Sequence, residues 1–283
     1  MLQKFNFHSH SNFCDGKNSL EEMVKKAIAL GLTHYGFSSH APVPFENKFA
    51  IPQNKVQDYL MECSRLKNIY ADKIHLYSAM EFDYIPNIME NIDRQAQKYN
   101  LDYFIGSVHM VKEKGINNNI WFIDGSSQET YDKELESVFH CDVHKGVKTF
   151  FAQTNEMIVK TKPDILGHFD KIKMHNKERF FSENDKWYEN LVYETLECVK
   201  KNNKTVIEIN TRGLYKKRYY DYFPSQKWFK VMKDMEIPVT ISTDCHKTEE
   251  IDLLFEETLN LLKTTGFKEV WYYEQGWKAK ALN

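Results

Sequence analysis

A chain of 283 residues, 42% hydrophobic and 14% aromatic, can bury a large core, and the even spread of its candidate ligands makes one domain over residues 1–283 the expectation. A formal charge of −2 offers no global basic field for nucleic acid, and no apolar run resembles a signal core or approaches the roughly 20 residues of a membrane span. Cys14, Cys63, Cys141, Cys198 and Cys245 are scattered, odd in number and without a CxxC pair, which argues against a disulfide framework or thiolate zinc site and for a reduced, cytoplasmic protein.

In chain order, residues 5–8 read as a short strand, and Ser19 with Glu22 forms a capping box that opens an amphipathic helix stopping at Gly31. Residues 34–38 predict a second strand, 54–70 a helix, and 74–81 a third strand with Ile74, Leu76, Ser78 and Met80 on one face. A helix over 88–99, a strand over 103–108 and a long helical region over 128–160, broken near Gly146, follow. Strands at 164–167, 205–209 and 239–242 alternate with helices at 184–201, 226–235 and 249–262, and residues 269–273 form an eighth strand or a closing segment. Strands and helices alternating in this way predict a parallel sheet with right-handed crossovers, closed into a barrel.

His8, His10, His40, Glu81, His109, His168, Asp244 and His246 each lie just past one of these strands. The carboxyl ends of parallel barrel strands open onto one face, so these residues are expected to meet in a single cluster. Imidazole and carboxylate suit zinc, manganese or iron, and the number of donors exceeds one coordination sphere, so two or three divalent ions are expected. Cys14 and Cys245 flank ligands, but alternation along an extended segment turns Cys245 away from Asp244 and His246 and makes it a core filler. His34, His75, His140, His144 and His175 belong to no motif and are assigned to surface or helix-face positions.

The run His8-Ser9-His10-Ser11 with Asp15-Gly16, the isolated His40, Phe104-Ile105-Gly106-Ser107-Val108-His109, Asp164-Ile165-Leu166-Gly167-His168 and Ser242-Thr243-Asp244-Cys245-His246 together resemble the polymerase and histidinol phosphatase (PHP) superfamily. Trp121-Phe122-Ile123-Asp124-Gly125-Ser126 and Glu208-Ile209-Asn210-Thr211-Arg212-Gly213 resemble its histidinol-phosphate phosphatase branch. The resemblance implies a distorted seven-stranded (β/α)7 barrel with three metals. One would be held by His8, His10, Glu81 and Asp244, a second by Glu81, His109 and His168, and a third by Asp15, His40 and His246. It implies hydrolysis of L-histidinol phosphate, a step of histidine biosynthesis.

A phosphate monoester also calls for fixed cations, and the planar fork of Arg212 is the first choice, with Lys171, Lys173 and the hydroxyl of Ser39 as further phosphate contacts. In the expected reaction a hydroxide bridging two metals attacks phosphorus while Arg212 neutralises the non-bridging oxygens, and Asp244 or His246 protonates the leaving alkoxide. Asp124, Phe45 and Tyr215 are candidates for the amine and imidazole end. Tyr215, Tyr219, Tyr220 and Tyr222, interleaved with Lys216, Lys217 and Arg218, read equally as a substrate-facing rim or an amphipathic loop. The alternatives are a phosphotyrosine phosphatase, a nuclease-like phosphodiesterase, a cyclic-amide metallohydrolase and a metal-binding protein without turnover. The small-molecule ester is the expected partner, without nucleic acid or membrane.

Overall fold

Strand and helix alternate in the computed structural model, which describes residues 4–113 and 119–282. β1 (Lys4–Asn6), α1 (Leu20–Ala29), β2 (Leu32–Phe37), α2 (Val56–Ile69), β3 (His75–Asp83), α3 (Ile92–Lys98) and β4 (Tyr103–Ser107) come first. An antiparallel hairpin, β5 (Met110–Lys112) and β6 (Ile120–Phe122), and the helices α4 (Gln128–Phe139) and α5 (Val143–Thr161) precede β7 (Ile165–Leu166). Then follow α6 (Lys173–Asn176), α7 (Lys186–Asn202), β8 (Val206–Asn210), α8 (Arg212–Tyr215), α9 (Phe229–Asp234), β9 (Val239–Ser242) and α10 (Phe255–Thr265). A second hairpin, β10 (Glu269–Tyr273) and β11 (Trp277–Ala281), ends the described chain.

β1, β2, β3, β4, β7, β8 and β9 pair in that order, every pair parallel. β1 and β9 meet just beyond their carboxyl ends, where Ser9 and Cys245 form a parallel bridge and His10 N donates to Cys245 O at 2.8 Å. The sheet is therefore a nearly closed (β/α)7 barrel. Along β3, alternation sets Tyr77, Ala79 and Glu81 on the interior face and Leu76, Ser78 and Met80 on the other, so the apolar face legible in the sequence is the one turned away from the barrel interior. Inside, Tyr103 reaches past Gly36 and donates to the carbonyl of Phe7 at 2.6 Å. A Cβ on Gly36 would fall 1.8 Å from the Tyr103 hydroxyl oxygen, so this close approach requires glycine.

The β10–β11 hairpin is not an eighth barrel strand. It packs rings against the barrel: Tyr273 lies 5.0 Å from Tyr77 and 5.3 Å from Tyr103, near the amino ends of β3 and β4, and Trp277 5.7 Å from Phe7, centroid to centroid. The capping box of α1 is present as expected, with Ser19 accepting from Glu22 N and the Glu22 carboxylate accepting from Ser19 N. The break between α4 and α5 falls at His140 and Cys141, both at positive φ, and not at Gly146. Gly146 lies inside α5 because its bare Cα admits Trp121, whose ring would lie 2.9 Å from an added Cβ. Among the described residues, no helix is long and apolar enough to cross a membrane.

Candidate metal centre

Glu81, near the end of β3, is 1% exposed and stands at the middle of the cluster. Its Oε2 lies 3.1 Å from His8 Nε2, 3.2 Å from His40 Nδ1 and 3.5 Å from His10 Nε2. Its Oε1 lies 3.0 Å from His168 Nε2 and 3.5 Å from His109 Nε2, and accepts from Ser107 Oγ at 2.6 Å. Asp244 Oδ1 is 3.2 Å from His10 Nε2, 3.5 Å from His246 Nδ1 and 3.9 Å from His8 Nε2. Asp15 Oδ2 is 3.3 Å from His246 Nε2, and Asp15 joins His10, His40 and His246 in one group of converging donor atoms. The nine residues expected as ligands thus face one another at the carboxyl ends of the strands.

The β1–β9 bridge is what brings the first and last motifs together, since it carries His8 and His10 alongside Asp244 and His246. Asp244 adopts a left-handed backbone with φ of 50°, a conformation that costs a non-glycine residue energy and concentrates at functional sites.

Electrostatics and hydrogen bonding both point to cations here. His8 Nε2, His10 Nε2, His40 Nδ1 and Asp15 Oδ1 are buried and have no hydrogen-bond partner. Leaving such groups bare costs free energy that a metal ion removes. Burial works against the charge on Glu81, yet His8, His40 and His109 hold its carboxyl well below the usual range. Asp244 is likewise buried, and His8, Arg212 and Lys171 keep it anionic. Burial and the histidines His246 and His40 push His10 well below its ordinary value, leaving a neutral imidazole able to ligate. Burial raises the thiols of Cys14 and Cys245 to about 11. Cys245 turns towards Asn6 and Tyr35, as alternation predicts.

Carboxylates that the sequence reading left without a role orient the imidazoles from behind. His8 Nδ1 donates to Glu208 at 2.8 Å, and Glu208 also accepts from His168 N at 2.7 Å. His109 Nδ1 donates to Asp83 at 2.8 Å; burial opposes its charge, but Asp83, Asp124 and Glu81 raise it to about 10. Such contacts fix the tautomer and aim the other nitrogen at the metal. Asp83 was discoverable: it lies two residues beyond Glu81 and shares its face.

The centre opens into a cavity of about 290 Å³, walled by Phe49 and Phe122 with rings 5.6 Å apart, and by Asp124, Ser126, Lys171, Arg212 and Arg218. Lys171 is held 2.7 Å from Asp124, which the β5–β6 hairpin delivers. Arg212 makes its contacts through Nη1, to the Asp244 carbonyl at 2.6 Å, the Tyr215 hydroxyl at 3.1 Å and Glu250 at 3.3 Å. Arg218 has no carboxylate partner among the described residues.

Other expected contacts lie elsewhere. Lys173 is fully buried between Asp170 at 2.7 Å and Glu183 at 3.3 Å, because two carboxylates compensate its desolvation better than an open cavity would. Ser39 turns its hydroxyl to Ser11 at 3.0 Å. Phe49, four residues on, takes the place expected for Phe45. Tyr215 donates to Thr243 O at 2.8 Å, Tyr219 to Glu183, and Tyr222 is buried, so Arg218 alone of the tyrosine-rich segment reaches the cavity. Of the two expected proton donors, Asp244 is held anionic by His8, Arg212 and Lys171, and His246 Nδ1 lies 3.0 Å from Asp244 O.

Residues 6–212 match the family model of the PHP domain. A probable histidinol-phosphatase of Schizosaccharomyces pombe is 27% identical over 291 residues, covering 95% of this chain and 89% of that one. The histidinol-phosphatase of Bacillus subtilis is 25% identical over 275 residues, covering 91% and 99%. The histidinol phosphate phosphatase of Lactococcus lactis subsp. lactis, solved with zinc, L-histidinol and phosphate, superposes with a TM-score of 0.68 at 20% identity over 99% of this chain and 100% of that one.

Proposed function

The chain belongs to the PHP domain family, and we propose that it hydrolyses L-histidinol phosphate to L-histidinol and inorganic phosphate as a metal-dependent phosphomonoesterase. The observation that carries this reading is the convergence of His8, His10, Asp15, His40, Glu81, His109, His168, Asp244 and His246 beside a cavity that also presents Lys171, Arg212 and Arg218. In support, the Bacillus subtilis relative is a histidinol-phosphatase, the Schizosaccharomyces pombe relative a probable one, and the Lactococcus relative was solved with L-histidinol and phosphate, the two products of this reaction.

His8, His10, Glu81 and Asp244 would hold one ion, Glu81, His109 and His168 a second, and Asp15, His40 and His246 a third, with His10 and His40 near enough to serve neighbouring positions. Divalent ions such as zinc, manganese or iron supply Lewis acidity and lower the pKa of water from 15.7 to about 7. The side chains do the rest. Lys171 stays charged because Asp124, Asp244 and Glu81 outweigh its burial, and it faces the dianionic phosphate as a point charge. Arg212 offers a planar guanidinium whose Nη1 is anchored to the Asp244 carbonyl, and Arg218 adds a further cation at the mouth, without a carboxylate partner among the described residues. The Phe49–Phe122 pair gives the substrate imidazole an aromatic wall, while Asp124 provides negative charge for the substrate ammonium. The reduced cysteines suit a cytoplasmic setting.

Purified protein reconstituted with zinc, manganese or iron is expected to hydrolyse histidinol phosphate at least tenfold faster, by kcat/KM, than phosphotyrosine or a dinucleotide diester. Equal rates on all three would overturn the substrate assignment.

A further inference from the structure

A buried imidazole nitrogen with no partner marks the metal centre, and the same signature recurs at the opposite end of the barrel. His34 near the start of β2 and His75 at the start of β3 are register partners on adjacent parallel strands, so their side chains share a face. Their rings lie 4.9 Å apart. Six residues of strand separate each from His40 and Glu81, roughly 20 Å along the barrel. Glu274, in the turn of the β10–β11 hairpin, completes a group whose donor atoms all lie within 4.8 Å of one another.

We propose that His34, His75 and Glu274 bind a divalent metal, zinc by the chemistry of the donors, which fastens the β10–β11 hairpin to the amino end of the barrel. His34 is 3% exposed, and its assignment to the surface is therefore corrected. Its Nδ1 lies 2.8 Å from Thr33 Oγ1, and that hydroxyl donates its own proton to Lys4 O at 3.3 Å. In the tautomer that keeps both contacts, the Thr33 oxygen accepts, His34 carries its proton on Nδ1, and Nε2 presents a lone pair.

That nitrogen is buried without a hydrogen-bond partner and faces Glu274 Oε1 at 3.9 Å. Two acceptors facing each other call for a cation between them. Glu274 Oε2 is occupied by Lys278 at 3.0 Å and the Tyr272 hydroxyl at 3.2 Å, which aims Oε1 at the site. Two imidazoles and one carboxylate suit zinc and leave a fourth position for water. Zinc–ligand bonds of about 2.0–2.2 Å require the donors to close by roughly an ångström, and the exposed ring of His75 has room for that movement. The contact of Thr33 behind His34 is the kind that orients a metal-bound imidazole.

Equilibrium dialysis of the full chain against micromolar zinc tests this, with wild type, His75→Ala and Glu274→Gln compared and thermal melts run beside them. His75 is exposed, so its loss leaves the core intact. Wild type is expected to hold one more zinc per chain than either variant, and zinc is expected to raise its Tm more than theirs, since a ligand that binds only the folded state stabilises it. Equal zinc content in wild type and His75→Ala would overturn the site. An extra zinc that survives Glu274→Gln would overturn the fastening of the hairpin.

Discussion

Both oxygens of Glu81 lie within 3.5 Å of imidazole nitrogens from five histidines, so this one carboxylate spans the ion positions that we propose. Glu81→Gln keeps the shape and removes the charge. Elemental analysis is expected to find fewer than two ions per chain in that variant, and assays no measurable phosphatase activity; full metal content would sink the bridging role. The residues behind the histidines act through orientation. Asp83→Asn and Glu208→Gln are expected to weaken metal binding by about 10–100-fold in chelator competition, with the fold retained by circular dichroism. The two arginines separate by the same logic. Arg212→Ala removes a charge-assisted contact of about 1.5–3 kcal/mol, or roughly 10–150-fold in kcat/KM, and also frees the Asp244 carbonyl, so its metal content is expected to fall. Arg218→Ala touches no ligand and is expected to raise KM with metal content unchanged.

At the level of elements, local sequence was a good guide where local physics decides. The Ser19–Glu22 capping box forms as written, and Ser19→Ala is expected to cost about 1 kcal/mol in urea unfolding. Gly146 shows the limit of such reading. A glycine inside a helical pattern ordinarily signals a break, but here it makes room for Trp121, a contact with a residue 25 positions away that no local pattern encodes. Gly36 is the same case inside the barrel. Gly36→Ala would drive a methyl into the Tyr103 hydroxyl, and such overpacking typically costs about 1–3 kcal/mol. Tyr103→Phe removes the clashing oxygen, so the double variant is expected to be less destabilised than the sum of the two single variants. Strict additivity would show that the strand relieves the clash some other way.

Over the whole molecule, the parallel strands gather ligands from His8 to His246 because they share a carboxyl end: β1, β2, β4, β7 and β9 are followed by ligands and β3 carries Glu81 near its end. That much was written in the sequence: the alternation of strand and helix, the motif at each strand end, the absence of a thiolate set and the excess of donors over one coordination sphere are all local or compositional. Tertiary structure alone decided the rest. Which of the two lysines faces the cavity depends on where its carboxylate partners stand: those of Lys171, Asp124 and Asp244, line the cavity, whereas those of Lys173, Asp170 and Glu183, lie away from it. The orienting roles of Glu208 and Asp83 exist only because the barrel turns Glu208 on β8 inward to His8, two strands away, and sets Asp83 on β3 beside the strand leading to His109. The closure of the barrel by a Ser9–Cys245 bridge, and the placing of a C-terminal hairpin over the strand starts, are pairings across more than two hundred residues in the first case and one hundred and seventy in the second. Periodicity and spacing report what lies within a few residues, whereas side-chain direction and long-range pairing follow from how the whole chain packs.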